Sequence, residues 1–353
     1  MTLACRSKER GERVLALCRA DADAAGHRTS RLRVAPLDVS SLDSVRAFAA
    51  QWARGGAPVH VLVNNAGIFD MGTPTRSLTV DGFESHLGTN HLGPFLLTLL
   101  LLPWLRDAGQ AGGARVVNVV SIMHRVAHLH RGDMHLECGY SPALAYGQSK
   151  LAGVMATAEL RRRVPESWGV TFLAAHPGNI ASDVSRTLPR AFQWGHKNLL
   201  GLFLLDPSEG ARASVWCAAG AGVPELVAAA GTDGYVDQAL APQEPSARSR
   251  DEGGRSWLWE WSAAATDAVP SLAALGLEAA PTAECIAVVQ GRMVAGQRRS
   301  TPKRGAGPKR GRGVSKSPAR GRKSAEGGER GRSRTPGRGR KATPGRSRSR
   351  GGQ

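Results

Sequence analysis

The chain has 353 residues, of which 41% are hydrophobic, and a formal net charge of +18. That length can bury one core of about 250 residues beside an extension. The charge is unevenly spread: residues 291–353 carry 21 Lys and Arg against only Glu326 and Glu329, a net +19, whereas the preceding 290 residues balance to −1. The reading is a near-neutral globular body with a basic tail. The cysteines Cys5, Cys18, Cys138, Cys217 and Cys285 are scattered without a C-x-x-C pair, which argues against a disulfide framework or a structural zinc and suits a reducing compartment. The start shows no basic segment followed by an apolar one, so no signal peptide is expected. The most apolar run, Phe95 to Leu105, is 11 residues long with Pro103 inside; it is too short to span a bilayer and reads as a buried helix.

In chain order, Met1 to Arg6 reads as the end of a strand and Ser7 to Ala25 as a helix. Leu32 to Leu37 is a short strand stopped by Asp38-Val39-Ser40-Ser41, and Ser41 to Arg54 is a helix with Val45, Phe48, Ala49 and Trp52 as its apolar stripe. Val59 to Val63 is rich in β-branched residues, as buried parallel strands are, and ends in Asn64-Asn65-Ala66-Gly67. A long helix is expected over Phe83 to Leu105, a strand over Arg115 to Val120 ending at Ser121, a helix over Tyr146 to Arg163, and a strand over Val170 to Ala175 ending in His176-Pro177-Gly178. Ser208 to Ala219 reads as helical and Gly234 to Val236 as a short last strand. Strands alternating with helices predict an α/β fold, a Rossmann-like doubly wound parallel sheet. Ligands of such sheets bind beyond the carboxyl ends of the strands, where Asp38, Asn64 to Gly67, Ser121 and Pro177-Gly178 collect. Each cluster alone could be turn chemistry.

Tyr146 and Lys150 stand four apart, one helical turn, on one face. A nearby ammonium favours the phenolate and lowers the tyrosine pKa, so the pair is a candidate proton-transfer device. By itself Y-x-x-x-K is common, and a surface tyrosine near a lysine would look the same; its position after four polar strand ends favours a site.

The motifs L-D-V-S-S-L at 37–42, N-N-A-G at 64–67, T-N-H-L-G-P-F at 89–95, N-V-V-S at 118–121, Y-G-Q-S-K at 146–150 and H-P-G at 176–178 together make the chain resemble the short-chain dehydrogenase/reductase superfamily. It is most similar to the retinol dehydrogenase-like subgroup, which Asp81-Gly82-Phe83-Glu84 and Leu258-Trp259-Glu260 also fit. The resemblance covers roughly residues 1–268 and implies an NADP-dependent oxidoreductase that interconverts an alcohol and an aldehyde or ketone of lipophilic character. It implies a catalytic set of Asn90, Ser121, Tyr146 and Lys150. Tyr146 exchanges the proton with the carbonyl oxygen, Lys150 lowers the tyrosine pKa and bonds the nicotinamide ribose, Ser121 stabilises the oxyanion, and Asn90 holds a water linking Lys150 to solvent. Asp38 and Val39 resemble the adenine-contacting pair; Asn64, Ala66 and Gly67 line the strand end near the adenine ribose; Pro177, Gly178 and Ile180 wall the nicotinamide. Arg6 and Ser7 follow what resembles the second strand of the fold. No acidic residue stands there for a ribose 2′-hydroxyl, and Arg6 offers a cation to a 2′-phosphate, which favours NADP over NAD.

The chain departs from the family pattern at its start. The first strand and the T-G-x-x-x-G-x-G loop, whose backbone N–H groups cradle the pyrophosphate, do not precede Met1. Either an internal methionine of a longer protein stands first, or this is a truncated product of weak cofactor affinity; the intact downstream set favours the former. Ala181 and Ser182 stand where the family usually has a threonine, and Phe192 to Leu205 would cover the substrate. His124, His128, His130 and His135 match no zinc spacing and are expected in an exposed polar loop. The domain reading is a dehydrogenase domain over 1–268, a linker over 269–290, and a tail over 291–353 whose Arg, Gly, Ser and Pro content predicts disorder. That tail could bind nucleic acid without reading sequence. The alternative function is therefore a catalytically impaired dehydrogenase-like protein with a nucleic-acid-binding tail. Partners expected are a small carbonyl or alcohol substrate, with homo-oligomerisation left open and no transmembrane segment. Localisation is expected to be cytoplasmic, with the basic tail permitting a nuclear location.

Overall fold

The computed structural model describes residues 1–27, 31–72, 74–178 and 206–289. Ile180, the covering segment 192–205 and the basic tail lie outside the described residues. Strand β1 (Thr2–Cys5) leads into helix α1 (Lys8–Ala24), whose N-terminus is capped by Ser7, the Oγ accepting from Arg10 N–H at 3.3 Å. Strand β2 (Arg33–Pro36) leads into α2 (Leu42–Gly55), capped at its start by Ser41 and closed at its end by Gly56 at φ 58°, a left-handed position that glycine adopts at little cost. Strand β3 (Val61–Asn64) follows. The expected long helix is composite: a short α3 (Ser85–Leu87), a π-turn at Gly88–Leu92, and α4 (Gly93–Gly112). Helix α4 continues past Pro103 and ends well beyond Leu105. A proline inside a helix costs about 3 kcal/mol; burial of Leu96, Leu99, Leu101, Leu102 and Leu105 outweighs it.

Strand β4 (Ala114–Val119), helix α5 (Pro142–Arg163) and strand β5 (Val170–Ala175) come next. Helix α5 starts a turn before Tyr146, on Pro142, whose fixed φ and missing N–H suit a first turn. After α6 (Pro207–Ala219), with a capping box between Asp206 and Glu209, come α7 (Val223–Ala229), β6 (Tyr235–Val236), α8 (Glu252–Ala265) and α9 (Val269–Ala274).

All strand pairs are parallel, as strands joined through helices are. They form two sheets: β1 beside β2, and the order β3-β4-β5-β6. Among the described residues nothing pairs with the outer edge of β3, and its Val61 and Val63 are 42% and 41% exposed, uncommon for apolar residues of a parallel strand. The main core joins Val45 and Phe48 of α2, the leucines of α4, Val116 of β4, Phe172 of β5 and Trp259 of α8. Residues read as a linker belong to this body: Leu272 and Leu277 lie in the same core, and Cys285 is buried against Trp257 and its neighbours. Pro270, Gly276 and Pro281 break this apolar stretch so that it shows no sustained helical period, and its burial depends on the core surface to which Trp259 of α8 contributes.

Gly93 begins α4 against the loop after β2. A Cβ there would meet Val39 O at 1.9 Å, and neither backbone segment can yield. Gly93→Ala is expected to cost about 1–3 kcal/mol, read as a lowered urea midpoint with an unchanged slope.

Candidate active site

The π-turn before α4, the carboxyl end of β4 and the first turns of α5 bring Asn90, Ser121, Tyr146 and Lys150 together, whereas Arg6, Ser7, Asp38 and Val39 follow β1 and β2, which form a separate two-stranded sheet. Asn90 lies in the π-turn, an interruption that often marks a functional position. The turn directs its carboxamide at the loop after β3: Oδ1 accepts from Ile68 N–H at 2.7 Å and Nδ2 donates to Ile68 O at 3.0 Å. Nδ2 also donates to Ser149 Oγ at 2.9 Å, and that hydroxyl donates to Tyr146 O at 2.8 Å. Asn90 thus ties the β3 loop to the helix carrying Tyr146 and Lys150.

Lys150 is buried, and its Nζ donates to Val119 O at 2.8 Å. Burial pulls its pKa down to about 8. Nζ lies 5.7 Å from the centre of the Tyr146 ring. The Tyr146 hydroxyl shares a hydrogen bond with the Ser121 side chain. Burial raises the tyrosine pKa and that hydrogen bond only partly offsets it. The lowering expected from Lys150 is therefore not what this geometry produces, because desolvation penalises the phenolate more than its neighbours stabilise it. Ser121 caps a 3₁₀ turn over Ile122–Arg125, its Oγ accepting from Met123 N–H at 3.3 Å.

A cavity of about 20 Å³ lies behind Lys150, lined by Asn64, Asn90, Thr98, Asn118 and Lys150 among others, enough for a water. Asn64 is turned inward: its Nδ2 donates to Asn118 Oδ1 at 2.8 Å and Thr98 Oγ1 at 3.0 Å, so its side chain binds strand to strand and strand to helix. Ala66 and Gly67 are exposed, and a Cβ on Gly67 would sit 3.0 Å from Asn90 Oδ1 and 3.5 Å from Lys150 Nζ. Asp38 Oδ1 accepts from both the N–H and the hydroxyl of Ser40, at 2.9 and 2.6 Å, shaping the turn after β2 in which Val39 lies. Arg6 is exposed at the carboxyl end of β1, next to Ser7 at the start of α1. Pro177 and Gly178 follow β5, Gly178 at φ 86°.

The histidines expected in an exposed loop divide. His128 is exposed, but His124 and His135 are buried. His124 Nδ1–H donates to Ser121 O at 2.7 Å while Nε2 accepts from Ser246 N–H at 3.2 Å, so His124 holds the strand end that presents Ser121. Glu84 N–H donates to His135 Nδ1 at 3.1 Å. Ser246 and Glu84 lie 122 and 51 residues away from the histidines they meet, so no local pattern could have announced their burial. Among the described residues no cluster of His, Cys, Asp or Glu could hold a metal, and no helix is long and apolar enough to cross a membrane. Phe69 and His86 were also missed; their rings lie 4.3 and 6.2 Å from the Tyr146 ring.

A sequence model described as short chain dehydrogenase matches residues 2–191. Polyprenol dehydrogenase of Mus musculus is 38% identical over 262 residues, covering 73% of this chain and 74% of that protein. Retinol dehydrogenase 11 of Homo sapiens is 37% identical over 262 residues, covering 74% of this chain and 76% of that protein. A crystal structure of an uncharacterized protein from Mycobacterium paratuberculosis is 33% identical, with a TM-score of 0.53, over 75% of this chain and 83% of that one.

Proposed function

The chain belongs to the short chain dehydrogenase family, and on that premise we propose that it is an NADP-dependent oxidoreductase interconverting a lipophilic alcohol and its aldehyde or ketone. The observation that carries this reading is the convergence of Asn90, Ser121, Tyr146 and Lys150 from three separate elements onto one strand-end site. Tyr146, held as a phenol by burial, gives its proton to the carbonyl oxygen in reduction. Ser121 donates to the same oxygen as charge builds there, a fixed dipole that needs no reorganisation. Lys150 and the water-sized cavity beside Asn90 return a proton to the tyrosine from solvent.

The residues present fit the two ends of a nicotinamide dinucleotide. Gly67 allows backbone to approach beside Lys150, and Arg6 with the α1 N-terminus offers positive charge to a 2′-phosphate. Asp38 and Val39 would contact the adenine, with Ala66 near its ribose and Pro177 and Gly178 at the nicotinamide. The described residues carry no glycine-rich turn between β1 and β3 for the pyrophosphate. When bound, the nicotinamide supplies or accepts the hydride. For the substrate, Ile122 and Leu144 are 38% and 43% exposed, one following Ser121 and the other two residues before Tyr146. A lipophilic substrate is the reading that relatives named for retinol and polyprenol support.

The test is NADPH-dependent reduction of a long-chain aldehyde together with thermal shift. A melting point that rises with NADPH concentration supports the reading; no shift and no turnover would favour the impaired alternative. Arg6→Asp is expected to raise the KM for NADPH roughly 10- to 100-fold, the worth of a charge-assisted phosphate contact, and to leave NADH nearly unchanged. Equal losses for both would remove Arg6 from the site.

A further inference from the structure

A second set of side chains, besides Ser121 and Lys150, lies against Tyr146. Glu84 is fully buried, and its carboxylate caps α3, Oε1 accepting from His86 N–H at 3.0 Å and Oε2 from Leu87 N–H at 2.8 Å. Oε1 also receives His86 Nδ1–H at 2.9 Å. Burial pushes the Glu84 carboxyl up, but the hydrogen bonds from the His86 side chain and from the two backbone donors outweigh it and leave it below the ordinary carboxylate range. The other imidazole nitrogen, Nε2, accepts from Asp70 N–H at 3.1 Å. An N–H can only donate and a carboxylate can only accept, so the partners define one neutral tautomer, with the proton on Nδ1.

The consequence is felt one residue back. Ile68 is held through both its N–H and its C=O by Asn90, and Asp70 through its N–H by His86. Asn90 and His86 are four residues apart in one composite helix, so they reach the loop from the same face. Phe69 lies between the two anchors, its ring 4.3 Å from that of Tyr146 and tilted by 44°. The His86 ring meets the same tyrosine edge-on, at 6.2 Å and 78°. Aromatic contacts at these separations hold a ring in place and keep water from it.

We propose that Glu84 and His86 form a positioning dyad that clamps the loop after β3 so that Phe69 seals one face of Tyr146 and fixes its phenol for proton transfer. Glu84 sets the tautomer, His86 converts it into a single acceptor for Asp70 N–H, and the loop delivers Phe69. None of the three touches the reacting atoms; all act through Tyr146. The catalytic half of this statement rests on the dehydrogenase reading; the positioning half does not.

The experiment therefore reads the tyrosine directly. The chain has three tyrosines, Tyr140, Tyr146 and Tyr235, and spectroscopic pH titration with a Tyr146→Phe control assigns the Tyr146 step. In His86→Leu, which cannot accept from Asp70 N–H, the Tyr146 midpoint is expected to fall by about one pH unit as water reaches the ring. His86→Gln keeps an acceptor near the Nε2 position and should restore it. Phe69→Ala should produce a similar fall, and the double variant should fall by less than the sum of the two, since the Phe69 contact is lost in both. In turnover, His86→Leu and Phe69→Ala should lower kcat about 10- to 100-fold, as misplaced catalytic groups do, with a smaller change in the KM for NADPH. An unshifted Tyr146 titration in folded His86→Leu overturns the proposal. If that variant does not fold, an unshifted titration in Phe69→Ala overturns it equally. A shifted titration in a chain without reductase activity upholds the dyad and counts against the dehydrogenase reading alone.

Discussion

Tyr146→Phe is expected to lower kcat for carbonyl reduction by about 10²- to 10⁴-fold, the usual worth of a positioned general acid, while the melting point stays close to that of the parent. Burial raises the pKa of the Tyr146 phenol, which keeps it protonated above neutrality, and the phenol also bonds Ser121. Phenylalanine preserves the ring that packs on Phe69, so the loss would be chemical. Because the proton donor is useful only in its acid form and burial raises its pKa, Tyr146 itself should not limit reduction near neutrality. Lys150 should: its ammonium, brought down to about 8 by burial, is lost as pH rises through that value, and the rate of reduction should fall with it. The pH–rate profile measures this, and a kcat for Tyr146→Phe equal to the parent's would show that the proton comes from elsewhere.

Trp259→Ala is expected to destabilise the body by roughly 3–5 kcal/mol, the range for removing a buried aromatic. Trp259 is 1% exposed and meets Phe95 of α4 edge-on with ring centres 5.3 Å apart. The Arg163 guanidinium lies over its ring at 4.9 Å, and its indole N–H donates to Glu278 O at 3.3 Å. One side chain thereby fastens α8 to α4, to the end of α5 and to the segment after α9. The measurement is urea unfolding; a loss below about 1 kcal/mol, the level of a surface change, would show that α8 and residues 269–289 are not part of the same cooperative core. This residue also bears on the domain boundary, since a linker would unfold without disturbing the dehydrogenase body.

The alternation of β-branched runs with helical stretches, each strand closed by Asn, Gly, Ser or Pro, determined the α/β class and nearly every strand, because those signals are local: side-chain period, turn chemistry and capping residues act within a few positions. The residues of the candidate site could be named from motifs for the same reason. The structure alone decided how they meet. Asn90 reaches Ile68 and Ser149 because a π-turn re-aims it. His124 is buried because Ser246 closes over it, and Asn64 faces inward because Thr98 and Asn118 receive it. Glu84 and His86 read as ordinary polar residues until the loop after β3 folds onto them, and residues 269–289 read as a linker until α8 gives them a surface. Burial, hydrogen-bond partners and the direction of a pKa shift are properties of contacts between residues distant in the chain. Sequence determines these through the whole packed arrangement, and no window of neighbouring residues carries them.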